Sequence, residues 1–339
     1  MFLTVCLNPT LQKTLCFPSV ISGTVNRTAN HRLDVSGKGI NVTRVLTQLG
    51  KKALHLTQLG PKSSSEGSMR PLFLSLCEND GLSVEWVESG SQIRFCYTIL
   101  NEQDGSVTEL VEESEPVAVE TEKCLLEKYD SLLTNADCLI ISGTKAAGFS
   151  DTVFPVMVKK AKDKGMRIIL DIRGKDLLEC LKYEPDIVKP NLYEFASTFT
   201  PELIKDNDLT IDDKAAKEQI KSAMLETARK YKCRVILTNG SREILAADYA
   251  PMEAQNNFFE VKIQPVKAVN TIGCGDAFTA GLAAALYDRS ATQTGSASQI
   301  RSVKQTWSAS QTFDFKAAIS EGIRCGALNA GLVRPGVIR

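Results

Sequence analysis

The residues best suited to chemistry in this chain lie within a glycine-rich stretch at positions 269–286. Gly273 and Gly275 permit a tight backbone turn, and Asp276 follows it directly. Beyond the turn, apolar side chains recur at helical spacing, at Phe278, Leu282, Ala285 and Leu286. The pattern therefore predicts that residues 273–276 lie at the N-terminus of a helix, where unpaired backbone amides attract anions.

A cluster of amides beside a carboxylate suits phosphoryl transfer. The transferring group carries its charge on equatorial oxygens, and a protein assists mainly by positioning it and stabilising that charge. Asp276 would be ionised at neutral pH and could accept an alcohol proton late in a loose transition state. The alternative is that Asp276 only caps the helix. The sequence has no Gly-x4-Gly-Lys-Ser/Thr motif, and no Gly-x-Gly-x-x-Gly at its first turn. A P-loop fold and a Rossmann dehydrogenase therefore lose their main support.

The elements that must position this turn alternate between strands and helices. Residues 2–7 form an apolar, β-favouring run that ends at Asn8-Pro9. After residues 36–39, apolar positions recur at helical spacing until Gly50, which is placed to end a helix. Further strands are predicted at 53–59, 138–142, 167–171, 186–188 and 234–238, and helices at 150–164 and 211–231. This alternation indicates an α/β fold with a mostly parallel sheet between helices, in which ligands bind beyond the carboxyl ends of the strands.

Two segments depart from that alternation, and a third lies between two helical segments. Residues 93–112 read as a hairpin around Asp104-Gly105. Together with residues 9–35 they are expected to form a small separate sheet, which would act as a lid or a dimer contact. Residues 289–312 are rich in Ser, Thr and Gln and are expected to form an exposed insertion. The prediction is a single domain over 1–339 with the lid inserted in it.

Composition excludes several classes of partner. Forty Lys and Arg residues balance forty Asp and Glu residues, so no global field attracts nucleic acid or an anionic membrane. Ten cysteines are scattered without a Cys-x-x-Cys pair, which indicates reduced thiols in a cytoplasmic protein. Only two histidines are present, without a paired ligand set, so no dedicated zinc site is expected. The N-terminus lacks a basic leader, and no apolar run approaches the roughly 20 residues of a membrane span.

Motifs over nearly the whole chain resemble, in their order, those of the ribokinase-like (PfkB) family of carbohydrate kinases. Residues 36–46 are similar to the family's first signature and residues 269–282 to its second. The opening resembles the 1-phosphofructokinase and tagatose-6-phosphate kinase branch, through Leu7-Asn8-Pro9 and Val25-Asn26-Arg27. The intermediate and C-terminal motifs are Ser142-Gly143-Thr144, Lys189-Pro190-Asn191 with Glu194, Thr238-Asn239-Gly240 and Ala327-Leu328-Asn329-Ala330. The resemblance implies a ribokinase-like three-layer fold with a small β lid, ATP and Mg²⁺ as cofactors, and a cytoplasmic homodimer joined through the lid.

The resemblance also implies roles for individual residues. Asp276 would be the catalytic base, and the anion hole would be formed by Gly273, Cys274 and Gly275. Lys189, Asn191 and Glu194 would face the nucleotide phosphates and Mg²⁺, with Glu194 holding the metal through water. The nucleotide site would also be lined by Thr238, Gly240 and Asn329.

On the acceptor side, the resemblance assigns the sugar site to Gln12, Gly37, Lys38, Asn41, Arg94 and Ser142. Lys38 and Arg94 would hold a phosphate already on the sugar, with Arg27 contributing from a partner subunit. The expected reaction is phosphorylation of fructose 1-phosphate to fructose 1,6-bisphosphate. Tagatose 6-phosphate and fructose 6-phosphate are alternative acceptors. Two further alternatives are a kinase for an unphosphorylated sugar or nucleoside, and a protein that binds sugar or nucleotide without catalysis.

Departures from the family pattern cluster in this acceptor half. Gln12 stands where the family has an acidic residue, and an amide lacks the charge-assisted hydrogen bond of a carboxylate. Ser36 replaces a glycine, and Ile93 and Cys96 replace a threonine and an asparagine beside Arg94. In the catalytic turn Cys274 replaces alanine, a small change that preserves the amide geometry.

Overall fold

The alternating sequence pattern folds into a large sheet with helices on both faces and a second, smaller sheet. The computed structural model describes residues 1–61, 67–204, 214–249, 257–286 and 309–339. Along the chain the strands are β1 (Phe2–Leu7), β2 (Thr10–Phe17), β3 (His31–Ser36), β4 (Ala53–Leu59), β5 (Val84–Glu88), β6 (Arg94–Asn101), β7 (Val107–Val111), β8 (Cys138–Lys145), β9 (Arg167–Asp171), β10 (Ile187–Val188), β11 (Arg234–Leu237), β12 (Ile244–Asp248) and β13 (Asn257–Val261). The helices are α1 (Lys38–Gln48), α2 (Arg70–Asn79), α3 (Val119–Leu132), α4 (Val153–Asp163), α5 (Gly174–Leu181), α6 (Leu192–Phe199), α7 (Lys214–Tyr231), α8 (Cys274–Leu286) and α9 (Ala309–Ala330).

Within the described residues, nine strands form the large sheet in the order β13-β12-β11-β10-β9-β8-β1-β4-β5. The strands from β5 to β11 run parallel, whereas β12 and β13 pair antiparallel at one edge. The predicted strands 53–59 and 167–171 coincide with β4 and β9, and β8 continues past the predicted end at 142 to Lys145. The mostly parallel sheet is therefore confirmed.

Both faces of the large sheet are buried, because successive strand residues point to opposite sides and helices cover each side. On β8, Leu139 and Ile141 pack into the core beneath α3, α4 and α7, whereas Cys138 and Ile140 pack against α1, α8 and α9. Each fully buried aliphatic side chain stabilises the fold by about 1.5–3 kcal/mol relative to an exposed one. This two-sided burial explains why the strands read as continuous apolar runs.

The small sheet has the order β3-β2-β6-β7 and comes from the two segments that depart from the alternation. Its β2 and β6 run parallel, and a third core cluster around Leu11, Val35 and Phe73 packs against it. The structure thus contains a second sheet where one was expected. Its action as a lid remains a prediction.

Helix α1 approaches the large sheet closely because of a glycine. A Cβ atom on Gly39 would lie 2.8 Å from the Cβ of Cys6 and 2.8 Å from His55. Any larger residue would push α1 away from β1, and α1 carries Lys38 and Asn41 toward the strand ends. Gly50, with φ 74°, follows the helix as predicted.

Some expectations concern regions described only in part. Residues 289–308 of the expected insertion lie outside the described residues, and 309–312 belong to α9. All ten cysteines are described, and all are free thiols. In the described part of the chain, no helix combines the length and apolar character required to cross a bilayer.

Candidate active site

The carboxyl ends of the parallel strands open into a cavity of 710 Å³, which we call the strand-end cavity. It extends from the small sheet, past the ends of β9, β10 and β11, to a space lined by β12, the segment after β13 and α9. All but three of the predicted site residues line it. The predicted residues in its wall are Gln12, Gly37, Lys38, Asn41, Arg94, Lys189, Asn191, Glu194, Thr238, Gly240, Gly273, Cys274, Gly275 and Asp276.

Asp276 lies in the first turn of α8, as predicted, and its side chain is directed at α1. Its Oδ2 atom accepts a hydrogen bond of 2.8 Å from Nδ2 of Asn41. Burial raises the pKa of Asp276 to about 6, and the nearby charge of Asp171 adds to the rise, whereas Lys38, Asn41 and Lys189 limit it. The carboxylate is therefore mostly ionised at pH 7. It is also a stronger base than an ordinary Asp, with a pKa nearer to neutral pH, as suits a general base.

The glycine turn that precedes Asp276 is held in a conformation that other residues rarely adopt. Gly273 has φ 82°, and a Cβ atom there would lie 2.8 Å from the backbone nitrogen of Gly336. A Cβ atom on Gly275 would lie 3.8 Å from Nζ of Lys189. The turn thus combines amides of the first turn of α8, which lack intrahelical acceptors, with a nearby ammonium group. These are the components of an anion site.

The thiol of Cys274 does not add negative charge to this turn. Burial, with a further contribution from Asp276, raises its pKa to about 12. The thiol is therefore neutral at physiological pH, and the amides of the turn face no thiolate.

Two lysines meet at a buried carboxylate that the sequence analysis did not single out. Asp171 ends β9, and its Oδ2 lies 3.3 Å from Nζ of Lys189 while its Oδ1 lies 3.7 Å from Nζ of Lys38. Ser142 and Thr279 donate hydrogen bonds to it of 3.2 and 3.4 Å. Burial opposes its ionisation, but Lys189, Lys38 and the hydrogen bond from Ser142 hold the pKa of Asp171 below its ordinary value. The available signal was its position at the end of a predicted parallel strand.

Lys38 remains cationic in this environment. Its Nζ also lies 3.3 Å from Oε1 of Glu194, and its side chain is 40% exposed. Asp171 raises the pKa of Lys38 most strongly, against the effect of burial, and Glu194 and Asp276 add to the rise. The lysine thus brings positive charge to the cavity between the base and α6.

Asn191 and Glu194 have a structural role as well as a place in the cavity wall. The Asn191 side chain accepts from the Glu194 backbone amide at 2.7 Å, and Oε2 of Glu194 accepts from the Asn191 amide at 2.9 Å. This reciprocal pair is a capping box at the start of α6. Because Oε2 is engaged there, Oε1 is the oxygen that faces Lys38 and the cavity.

The end of the cavity between β12, the segment after β13 and α9 is largely apolar. Gly240, with φ 57°, and Thr238 follow β11 at its entrance. Its walls are formed by Ile244, Ile263, Val266, Ile323, Gly326 and Ala327. Small and branched apolar side chains around a slot are suited to a flat ring system such as a nucleobase.

The opposite end of the cavity is polar and is formed by the small sheet. Nε2 of Gln12 donates to Oγ1 of Thr98 and lies 3.5 Å from Oε1 of Glu109. Glu109 lines the cavity from β7 and was missed by the sequence analysis. The Nε atom of Arg94 is buried and has no hydrogen-bond partner among the residues that the structure describes. This end therefore presents a cation together with hydrogen-bonding groups.

Three predicted residues are placed elsewhere. Ser142 is fully buried behind the cavity, where it donates to Asp171. Asn329 is fully buried beneath the glycine turn, where Nδ2 donates to the Arg334 carbonyl at 3.2 Å and Oδ1 accepts from the Gly336 amide at 3.3 Å. Both support residues that line the cavity. Arg27 is exposed on the loop between β2 and β3 and does not line the cavity, so its contribution from a partner subunit remains a prediction.

Comparisons with known proteins agree with this arrangement. Residues 12–300 match the model of the pfkB family of carbohydrate kinases. Escherichia coli phosphofructokinase-2, solved with substrates and products, is 21% identical with a TM-score of 0.76, over 97% of this chain and 93% of that one. A possible 1-phosphofructokinase from Thermotoga maritima is 17% identical with a TM-score of 0.76, over 98% and 92%.

Arabidopsis thaliana ribokinase, solved with ribose and ATP, is 17% identical with a TM-score of 0.65, over 99% of this chain and 94% of that one. At these identities the structures establish a shared ribokinase-like fold. The family match covers most of the sequence and includes both the small-sheet residues and the glycine turn. The chain belongs to the pfkB family of carbohydrate kinases.

Proposed function

We propose that this protein transfers the γ-phosphoryl group of ATP to a hydroxyl of a sugar phosphate, with fructose 1-phosphate as the first candidate acceptor. The observation that carries the proposal is the shared cavity. Asp276, the glycine turn and Lys189 line the same space as Lys38 and Arg94. A base, an anion site and cations for a second phosphate are thus within one site.

Asp276 acts as the base in this proposal. The acceptor hydroxyl gives its proton to the carboxylate as its oxygen forms a bond to the γ-phosphorus, and the bond from that phosphorus to the β,γ-bridging oxygen breaks. The pKa of about 6 leaves the carboxylate ionised at neutral pH and able to hold the proton transiently. The bond from Asn41 orients the carboxylate before the acceptor arrives.

The glycine turn and Lys189 stabilise the charge of the transferring group. The first-turn amides of α8 point outward from the helix N-terminus, and the positive end of the helix dipole adds to them. Lys189 is held beside Gly275 by Asp171, so its charge is in place before reaction. Preorganised charge of this kind requires no rearrangement at the moment of transfer.

ATP and Mg²⁺ are the cofactors that this proposal requires, and the residues present fit both. The apolar slot formed by β12, the segment after β13 and α9 suits the adenine ring. Mg²⁺ prefers oxygen ligands and commonly uses one or two carboxylates together with phosphates and water. Oε1 of Glu194 meets that requirement. Because this oxygen already faces the ammonium group of Lys38, the contact between Glu194 and Mg²⁺ would run through water. When bound, the ion would neutralise charge between the β- and γ-phosphates.

Arg94 supports a phosphorylated acceptor. Its side chain lines the cavity, Nη1 donates to the Glu112 carbonyl at 3.1 Å, and the guanidinium retains further N–H groups for a phosphate. Lys38 is already paired with two carboxylates, so Arg94 is the stronger candidate for the acceptor phosphate. The amide at Gln12, rather than a carboxylate, bears on which hydroxyls of the sugar are recognised.

A substrate panel tests the proposal. The purified protein, with Mg²⁺ and ATP, would be given fructose 1-phosphate, tagatose 6-phosphate, fructose 6-phosphate, fructose, ribose and a nucleoside, and ADP release would be measured. We expect turnover with a ketose phosphate and a loss of about 10²- to 10⁴-fold in Asp276→Asn. Turnover only with an unphosphorylated acceptor would overturn the substrate class. Calorimetric binding without turnover would instead favour a non-catalytic binding protein.

We further propose that the protein is a cytoplasmic homodimer joined through the small sheet, with one domain over 1–339. Leu110 on β7 is 54% exposed and points to the face opposite Glu109 and Val111, which line the cavity. Its exposure would be costly on a free surface and favourable at a contact between copies. Sedimentation velocity on the native protein and on Leu110→Glu tests the assembly. A native monomer at micromolar concentration would contradict it.

A further inference from the structure

Arg44 is a fully buried arginine one turn beyond Asn41 on α1, with 2% of its surface exposed. Its Nη1 atom donates to Oδ1 of Asn41 at 2.9 Å. Nδ2 of the same amide donates to Oδ2 of Asp276 at 2.8 Å. A guanidinium group is thus connected to the carboxylate through one side-chain amide.

The arginine is itself held by several separate parts of the chain. Its Nε lies 3.0 Å from Oδ2 of Asp80, just after α2, and its other nitrogens donate to the carbonyls of Val35 and Pro335. Asp80 also pairs with Arg334, which in turn lies 2.8 Å from Asp34 on β3. Side-chain rotation would break several of these contacts at once, so the guanidinium has one accessible position.

The orientation of the Asn41 amide matters because its two ends are chemically opposite. The NH2 group donates and the oxygen accepts, while a carboxylate can only accept. With Oδ1 engaged by Arg44, and also within 3.4 Å of the Ser36 hydroxyl, NH2 is the end that meets Asp276. Turning the amide would place its oxygen against a negative charge.

We propose that Arg44 is a positioning residue for the base: it fixes the Asn41 amide so that Nδ2 faces Asp276, and so sets both the direction and the proton affinity of that carboxylate. The inference rests on the proposed role of Asp276. Arg44 does not line the strand-end cavity, so it acts on the site through its neighbours. It reaches Asp276 through Asn41, and it also holds the Pro335 carbonyl in the segment beneath the glycine turn. The pKa of Asp276 reports the first of these two routes.

Other charged groups also face Asp276 and must be held constant in a test. They are Lys38 on α1, Asp171 at the end of β9 and Lys189 after β10, while the neutral thiols of Cys6 and Cys274 lie nearby. Arg44 itself faces Asp80, Arg334 and Asp34. A change at Arg44 leaves Lys38, Asp171 and Lys189 untouched. Asp80→Asn is the matched control, because it weakens the same buried network without removing the donor to Asn41.

The test measures the pKa of Asp276 in two ways in native protein, Arg44→Met and Asp80→Asn. The first is the acid limb of the kcat/KM profile against pH. The second needs no turnover: the free energy of unfolding of each of the three proteins is measured from pH 4 to pH 8 and compared with that of the same protein carrying Asp276→Asn. The pH dependence of this difference reports the pKa of Asp276. In Arg44→Met we expect both to report a pKa about one unit higher, because a hydrogen bond to the carboxylate is lost. We also expect kcat to fall about tenfold or more while KM for ATP changes little.

Asp80→Asn should lose stability but keep the native pKa of Asp276. If Arg44→Met fails to fold, Arg44→Lys keeps the charge beside Asp80 but lacks the planar fork that reaches Asn41, and the same upward shift is expected. An unchanged pKa in whichever Arg44 variant folds would overturn the proposal. So would an equal shift in Asp80→Asn. Because the unfolding measurement works without turnover, failure of the proposed kinase activity would be seen separately.

Discussion

The ammonium group of Lys189 lies 3.3 Å from the carboxylate of Asp171, and both side chains are at least 97% buried. Asp171 ends β9 and Lys189 follows the neighbouring parallel strand β10, so the sheet itself brings them together. Neither charge has bulk water to stabilise it, so each depends on the other, and the carboxylate depends also on Lys38. Asp171 thereby fixes the Lys189 ammonium group beside the glycine turn.

Replacing Lys189 should therefore damage both stability and catalysis. Lys189→Met leaves Asp171 buried with a more distant cation, and breaking a buried pair costs about 3–5 kcal/mol. Urea unfolding measures that loss, and kcat should fall because the ammonium beside Gly275 is absent. Lys182→Met is the control, since Lys182 is 59% exposed and its pair with Glu179 should contribute less than about 1 kcal/mol. Similar losses in the two variants would contradict the role of the buried pair.

Asp276 should make the folded protein less stable as the pH rises. Its pKa is about 6 in the folded state against an ordinary value of 3.8, so the folded state binds more protons than the unfolded state between those pH values. The free energy of unfolding of native protein should thus fall, relative to Asp276→Asn, by up to about 3 kcal/mol between pH 4 and pH 7. Urea unfolding at both pH values measures the difference. Asp163→Asn, at an exposed position, is the control and should not reproduce this difference. If the difference in free energy of unfolding between native protein and Asp276→Asn is the same at both pH values, the raised pKa is refuted.

Arg94→Ala should weaken binding of a phosphorylated acceptor. Loss of a charge-assisted contact, on the order of 2 kcal/mol, corresponds to a KM about 30-fold higher for the sugar phosphate. Steady-state kinetics with saturating ATP measures it. Lys13→Ala is the matched control, because successive residues of β2 point to opposite faces, so Lys13 points away from Gln12 and does not line the cavity. An unchanged acceptor KM in Arg94→Ala would indicate an unphosphorylated substrate.

Glu109→Gln should raise the KM for the acceptor about tenfold without altering that for ATP. Glu109 brings a carboxylate to the small-sheet end of the cavity, 3.5 Å from the Gln12 amide, where it can accept from sugar hydroxyls. The magnitude follows from one hydrogen bond to a charged group. Glu102→Gln removes a charge from the turn after β6, outside the cavity, and should have no effect. Equal effects of the two changes would indicate a general charge effect instead.

The sequence was sufficient to predict the central strands because burial on both faces makes them continuous apolar runs. It did not reveal β12 and β13, although each pairs antiparallel with the strand that precedes it in the chain. Thr238-Asn239-Gly240, between β11 and β12, was interpreted as a nucleotide-site motif and not as the turn between two strands. Asp171 was missed for a different reason. A strand-final Asp has no distinctive local pattern, and only the spatial order β8-β9-β10 places it between Ser142 and Lys189.

Site residues in the glycine-rich motifs were predictable because the motifs have local requirements. Their partners were not. Asn41 and Asp276 are 235 positions apart, and no spacing rule connects them. Asn329 was assigned the wrong position for a different reason. From sequence alone, a polar residue near a helix end that lines a pocket cannot be distinguished from one that supports the backbone beneath the pocket. Here it binds residues 334 and 336.

The segment around Gly336 has a consequence for how the protein is made. A Cβ atom on Gly336 would lie 2.7 Å from the Asn41 side chain, and Pro335 accepts a hydrogen bond from Arg44. The support beneath the base therefore contains residues translated after every strand of both sheets that the structure describes. A nascent polypeptide halted on the ribosome before position 335 would hold those strands and still lack the contacts that seat Asn41. Catalytic competence should consequently arise only after residue 336 has emerged from the exit tunnel.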